Sequence, residues 1–322
     1  MKDSRSIRFS AIPCVLALAF VIFPQALQAQ WKAVVGAQRA DKGKQALAFL
    51  PNEIWIHAGD DITWTFNADD IHTVTFLTDG QVRPFFGDGC PGFSGGSAVF
   101  NGSTCVTTPP LTTGATFRVT FPIAGNYKMI CLVHENMTGV VHVLSLATAL
   151  PHDQKFYDQQ AQNGKNDLLS DAEHARHHGS EEVFAGSGKI VANAGGSQTA
   201  SLMRFDEPDK TIHVGDTVEW TNQDPITPHT ITFGAEPADL GPPFPLNMPI
   251  DADGARHATI NSTADNVHSG FIIAAPQERL GLAQAPLGVT RFRVTFAHAG
   301  VYNYICSLHD DLGMKGKINV NP

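Results

Sequence analysis

The sequence predicts an all-β protein made of two tandem sandwich-like domains joined by a partly helical linker, and three observations carry that prediction. Apolar and polar residues alternate over short runs, as in Ile54, Ile56, Ile62, Trp64 and Phe66, which is the period of a half-buried strand. Turn-forming pairs such as Gly59-Asp60 cut those runs, and no long helical period interrupts them. The whole pattern also occurs twice. Residues 116–134 (TFRVTFPIAGNYKMICLVH) set against 291–309 (RFRVTFAHAGVYNYICSLH) give eleven identities in the eighteen positions from Phe117 to His134. Upstream, residues 56–76 match 212–233 with one extra residue before the histidine. A chain of 322 residues can supply two hydrophobic cores. The expected division is 30–148 and 188–322 for the two copies, with 149–187 as linker.

In chain order, Lys2, Arg5 and Arg8 lead into AIPCVLALAFVIF and then PQALQA, the layout of a signal peptide over residues 1–29 cleaved near Ala29. Its apolar run falls short of the roughly 20 residues that span a bilayer, so no membrane span is expected in the mature chain. The location expected is periplasmic or secreted. Cleavage removes three basic residues and Asp3, taking the formal charge from −9 to −11. That acidity argues against nucleic acid and favours basic partners.

Four of the five cysteines remain in the mature chain. Cys90 and Cys105 flank the glycine-rich stretch PGFSGGSAVFNGST and can close it as a disulfide, which suits an oxidising compartment. Cys131 and Cys306 are left as a matching, unpaired couple. In the first copy Ile54 and Ile56, then Ile62, Trp64 and Phe66, form alternating strands; Val214, Val218 and Trp220 are their expected counterparts in the second. The linker, residues 149–184 in its polar part, reads as one or two short surface helices. Its His174, His177 and His178 would share a helical face and could hold a divalent ion, but no carboxylate or cysteine completes a set, so a solvated face is the plainer reading. The second copy carries a long stretch over 234–289 that exceeds an ordinary connection.

The chemistry concentrates in GNYKMICLVHENM (125–137) and GVYNYICSLHDDLGM (300–314). A thiolate, two imidazoles and a distant thioether suit copper in both oxidation states, because soft sulfur favours Cu(I) while imidazole also serves Cu(II). The candidate ligands are His72, Cys131, His134 and Met137 in the first copy, and His229, Cys306, His309 and Met314 in the second. Singly, each has a structural explanation: a buried cysteine is a small hydrophobe, a histidine can be satisfied in a core, and methionine fills gaps. Eight such residues at matched places in two copies favour the metal reading. The two methionines rest on spacing alone.

These motifs resemble the cupredoxins, the blue copper proteins. CLVHENM has the CxxHxxM spacing seen in amicyanin, CSLHDDLGM the longer CxxHxxxxM spacing of plastocyanin and pseudoazurin, and the GDxxxW turn and HTxTF strand are also similar. The resemblance covers nearly all of both copies. It implies a Greek-key β-sandwich in each, one type 1 copper ion at an end of each sandwich, and His134 and His309 as the exposed edges through which electrons leave. The apolar ring around that edge in the second copy would include Pro242, Pro243, Phe244, Pro245 and Leu312.

Enzymes of related architecture hold catalytic copper with HxH pairs or with a histidine directly before the copper cysteine. None of the fourteen histidines forms an HxH pair, and Ile130 and Ile305 precede the cysteines. The expectation is a non-enzymatic carrier of single electrons between redox partner proteins. Two alternatives stand beside it: a copper oxidase or nitrite-reductase-like enzyme completed between subunits by His142, His257 or His268, and a copper storage or delivery protein.

Overall fold

The computed structural model describes residues 29–84, 90, 96–170, 182–193, 195–224, 226–238, 248–249, 255–272 and 291–322. The expected signal segment up to residue 28, the linker histidines 174, 177 and 178, and the apolar stretch 242–245 lie outside the described residues.

The first copy contributes β1 (Gln30–Gln38), β2 (Lys44–Leu50), β3 (Glu53–His57), β4 (Asp61–Phe66), β5 (Thr75–Phe76), β6 (Ser97–Val99), β7 (Val106–Thr107), β8 (Thr116–Thr120), β9 (Gly125–Ile130) and β10 (Thr138–Leu144). Helix α1 (Gln154–Ser170) follows. The second copy repeats the order with β11 (Glu182–Asn193), β12 (Gly196–Asp206), β13 (Asp209–His213), β14 (Thr217–Asn222), β15 (Thr232–Phe233), β16 (Arg256–Ile260), β17 (Val267–His268), β18 (Arg291–Phe296), β19 (Gly300–Ile305) and β20 (Lys315–Asn321). Strand β11 therefore starts at Glu182, inside the span read from sequence as linker.

Each copy packs two layers. In the first, the β3-β10-β9-β5-β7 sheet faces the run β2-β1-β4-β8-β6; in the second, β13-β20-β19-β15-β17 faces β12-β11-β14-β18-β16. Neighbouring strands are often distant in sequence, and β1–β4, β3–β10 and β6–β8 pair in parallel, so the sheets are mixed rather than purely antiparallel. Strand alternation sets what the layers bury. Ile62, Trp64 and Phe66 point into the first core and Val218 and Trp220 into the second. Val214 departs from the expected pattern: it is exposed in the turn after β13, and Ile212 is the buried residue there.

Helix α1 is started by Asp153, whose Oδ1 accepts from Phe156 N at 2.9 Å. It buries Tyr157, Leu168 and Leu169, the two leucines against Ala46, Ala48 and Leu50 of β2. The linker is therefore docked on the first copy.

The two copies share a sheet. Strand β12 pairs antiparallel with β2 through Thr199–Leu47, Ala200–Ala46, Ser201–Gln45 and Leu202–Lys44, which makes one 10-stranded sheet of the two five-stranded runs. Because the copies have the same strand order outward from this seam, they are related by a pseudo-two-fold axis through the Gln45–Ser201 pair. The seam hides two strand edges that would otherwise be open to pairing with another chain.

Candidate metal centres

The same local geometry builds both centres. Strand β9 ends at Ile130 and β10 begins at Thr138, and the loop between is pinned by main-chain bonds from Cys131 N to Met137 O (3.0 Å) and from Met137 N to His134 O (3.2 Å). In the second copy Cys306 N donates to Met314 O (3.1 Å) and Met314 N to His309 O (3.1 Å). Each upstream histidine is held by an isolated bridge, His72 with Leu111 and His229 with Ile272. These constraints bring three candidate ligands together in each copy: His72, Cys131 and His134, and His229, Cys306 and His309, each set with its ligand atoms within 4.8 Å of one another.

In the first set the two Nδ1 atoms face each other at 3.2 Å and Cys131 Sγ lies 3.7 Å from His134 Nδ1. In the second the Nδ1 atoms are also 3.2 Å apart, with Cys306 Sγ 3.4 Å from His309 Nδ1 and 3.8 Å from His229 Nδ1. All six side chains are buried. Burial pushes His72 and His309 down to about 3, so these imidazoles are neutral, and pushes the Cys306 thiol up to about 11 and the Cys131 thiol upward. Facing imidazole nitrogens beside a sulfur, shut away from water, form a donor set that a soft cation satisfies. Met137 and Met314 are fully buried and lie one main-chain bond from their cysteines.

The threonine after each upstream histidine is a second support. Thr73 N donates to Cys131 Sγ (3.4 Å) while its Oγ1 accepts from Leu132 N (2.7 Å); Thr230 does the same with Cys306 Sγ (3.3 Å) and Ser307 N (2.7 Å). This gives the HTxTF pattern a physical role. In addition, Arg83 sits over the first loop, its guanidinium donating to the carbonyls of Cys131 and Glu135.

Gly36 and Gly186 escaped the sequence reading. Each lies at a bulge in the first strand of its copy, with φ of +67° and +69°. A Cβ on Gly36 would stand 2.6 Å from His72 Nε2, and one on Gly186 2.3 Å from His229 Nε2. The bulged backbone thus lies directly against the upstream imidazoles, and both positions need a residue that has no side chain and tolerates positive φ.

The chain matches the profile of copper-binding proteins of the plastocyanin/azurin family over residues 36–144 and 191–321, most of its length and both copies. The chain belongs to that family. Among similar proteins is the plastocyanin of Synechococcus sp. (strain JA-2-3B'a(2-13)), 29% identical over 126 residues, which are 39% of this chain and 69% of that protein. Similar solved structures include oxidised plastocyanin from Dryopteris crassirhizoma (18% identity, 44% of this chain, 99% of that one, TM-score 0.23). Another is a purple cupredoxin from Nitrosopumilus maritimus (21% identity, 35% of this chain, 99% of that one, TM-score 0.24). As a plastocyanin/azurin family member the protein is a copper protein, and its two histidine–cysteine clusters fit two copper ions.

One expectation is overturned. His134 and His309 are not exposed edges: they retain 2% and 4% of their accessible surface. Leu312, expected on an apolar rim, is buried and joins the core cluster of the first copy together with Ile226. Pairing of β2 with β12 holds the second copy against the first, and Leu312 and Ile226 pack into the first copy's core there.

The histidines considered for an intersubunit catalytic site have other partners. His142 lies between Glu53 (3.0 Å) and Asn126 (2.6 Å) and stacks on Trp55. His257 contacts Thr295 Oγ1 at 2.8 Å, and His268 contacts Thr232 Oγ1 at 2.7 Å. The disulfide Cys90–Cys105 is formed, and Cys131 and Cys306 are free. No helix among the described residues is long and apolar enough to cross a membrane.

Proposed function

We propose that this protein carries single electrons on two type 1 copper ions, one held by His72, Cys131, His134 and Met137 and the other by His229, Cys306, His309 and Met314. The observation that supports this most directly is the pair of closed, buried histidine–cysteine–histidine clusters at matched places. A bound copper ion supplies a one-electron couple. The residues supply a cage that hardly has to move: main-chain bonds fix each loop, the threonine N–H and the bulged glycine fix the sulfur and the upstream ring, and burial keeps water off the metal. Such a cage leaves no open position for a substrate, so bond-making chemistry is not expected and the protein is not an enzyme. Residues 1–29 would direct it to the periplasm or outside the cell, and its acidity would steer basic redox partners toward it.

The test is copper counting with paramagnetic resonance and absorption on the mature protein. About two coppers per chain, both with intense thiolate-to-copper absorption, are expected; Cys131→Ser should remove the first band alone and Cys306→Ser the second alone. An additional copper lacking thiolate absorption would favour the enzyme reading. Ready metal loss without a reversible redox couple would favour storage or delivery.

A further inference from the structure

The burial of both loop histidines raises the question of where their electrons go. The first hairpin of each copy lies beside the end of the other copy's ligand loop. Past the first loop, Ser197 N donates to Thr138 Oγ1 at 2.8 Å, and Gly196 is pressed against Thr138 so closely that a Cβ there would meet Oγ1 at 2.4 Å. At the second loop, Arg204 Nη1 donates to Leu312 O (2.6 Å) and its Nη2 to Asp41 O (2.6 Å) in the turn between β1 and β2. The contact between copies is direct at the first loop and passes through Arg204 at the second.

The segments carrying the upstream histidines also converge on the pseudo-two-fold axis. From the central pair, Gln45 Nε2 donates to Gln38 Oε1 (3.1 Å), which accepts from Asp69 N (2.9 Å), three residues before His72. On the other side Ser201 Oγ lies 3.3 Å from Thr227 Oγ1, two residues before His229. Two buried carboxylates complete the junction. Asp70 Oδ2 faces His134 Nε2 at 3.4 Å and Asp224 Oδ2 faces His229 Nε2 at 3.9 Å. They belong to different copies, and the hydrogen bonds from Gln45 through Gln38 to Asp69 N, and from Ser201 to Thr227, whose N–H donates to Asp224 Oδ1 at 2.8 Å, tie the segments that carry them to the shared seam.

We propose that the two centres form an internal redox couple, exchanging an electron directly across the seam where β2 pairs with β12 and the segments carrying Asp70 and Asp224 converge. This inference rests on the copper reading above. In the exchange one site passes from Cu(I) to Cu(II) as the other passes from Cu(II) to Cu(I); one electron crosses, no bond is made or broken, and no proton moves. The second copy thereby occupies the place a docked redox partner would take at an exposed loop histidine. Asp70 and Asp224 each place a carboxylate on the Nε2 side of a ligand ring, the side from which carboxylates commonly orient metal-bound imidazole.

Two measurements on the copper-loaded full chain test this. Pulsed paramagnetic resonance on the fully oxidised protein should show dipolar coupling between two Cu(II) centres, absent from Cys131→Ser and Cys306→Ser; no coupling in the native protein would overturn the proposal. Rapid reduction by less than one electron per chain, followed by freeze-quench, should show redistribution between sites at a rate independent of protein concentration, with signals assigned from the single-site variants. A rate proportional to concentration, equal to that in a mixture of the two single-site variants, would also overturn it. Arg204→Ala, which touches no ligand, should keep both absorption bands and slow the concentration-independent phase at least several-fold; an unchanged phase counts against the junction. If the native protein lacks the thiolate–copper bands altogether, the copper reading fails first, so the two failures are distinguishable.

Discussion

Replacing Gly36 by alanine tests the geometry of the first centre with a built-in control. Gly36 and Gly59 both have positive φ, +67° and +98°. At Gly59 a Cβ meets nothing within 4 Å, whereas at Gly36 it would lie 2.6 Å from His72 Nε2 and 2.7 Å from Ala68 Cβ. The backbone cost of an L-residue in this region is about 1–2 kcal/mol at either position. Gly36→Ala must in addition overpack a closed site, which costs a further 1–3 kcal/mol or so. Denaturant unfolding of the metal-free protein should therefore rank Gly36→Ala below Gly59→Ala by that difference. After copper loading, Gly36→Ala should weaken or shift the first centre's thiolate absorption and leave the second unaltered, and Gly186→Ala should do the reverse. Equal stability losses for Gly36→Ala and Gly59→Ala, with both bands intact, would refute the argument that the bulged strand holds the imidazole.

Three other outcomes are expected. The Cys90→Ser/Cys105→Ser double variant loses the cross-link between residues 15 apart, for which loop-closure entropy gives about 3 kcal/mol, so its unfolding midpoint should fall accordingly. Burial, with Arg256 adding to it, holds His268 down at about 4 against an ordinary 6.5. Above pH 6.5 His268 is neutral folded or unfolded; as pH falls toward 4 the unfolded chain takes up the proton first and stability is lost. His268→Gln should flatten that part of the stability–pH curve, as read by unfolding at several pH values. Finally, because both thiols are pushed up while His72 and His309 are held neutral, loading Cu(II) at neutral pH should release one proton per centre, measurable by pH-stat titration.

The legible part of this protein is the part coded locally or by repetition. Alternation placed Ile62, Trp64 and Phe66 in one core and Val218 and Trp220 in the other, because a strand turns its side chains to opposite faces at every residue. Spacing identified the three histidine and cysteine residues that converge in each copy, since a loop of a few residues leaves Cys131 and His134, or Cys306 and His309, little choice but to be neighbours. Repetition supplied His72 and His229. Val214 was misread for a local reason: the alternation holds at Lys210 and Ile212, but β13 ends at His213, so Val214, next in the same phase, falls in the turn and is exposed.

What sequence alone determined is therefore the strand alternation, the duplicated architecture and the histidine and cysteine residues that meet in each copy. Tertiary structure decided their surroundings: the bulges that lay Gly36 and Gly186 against the rings, the burial of His134 and His309, and the carboxylates of Asp70 and Asp224 beside His134 and His229. These depend on β2 pairing with β12, strands more than a hundred residues apart. Periodicity records which face of a strand is buried, but the choice of neighbouring strand is made by backbone hydrogen bonds that every residue except proline offers alike, so no side-chain pattern announces it.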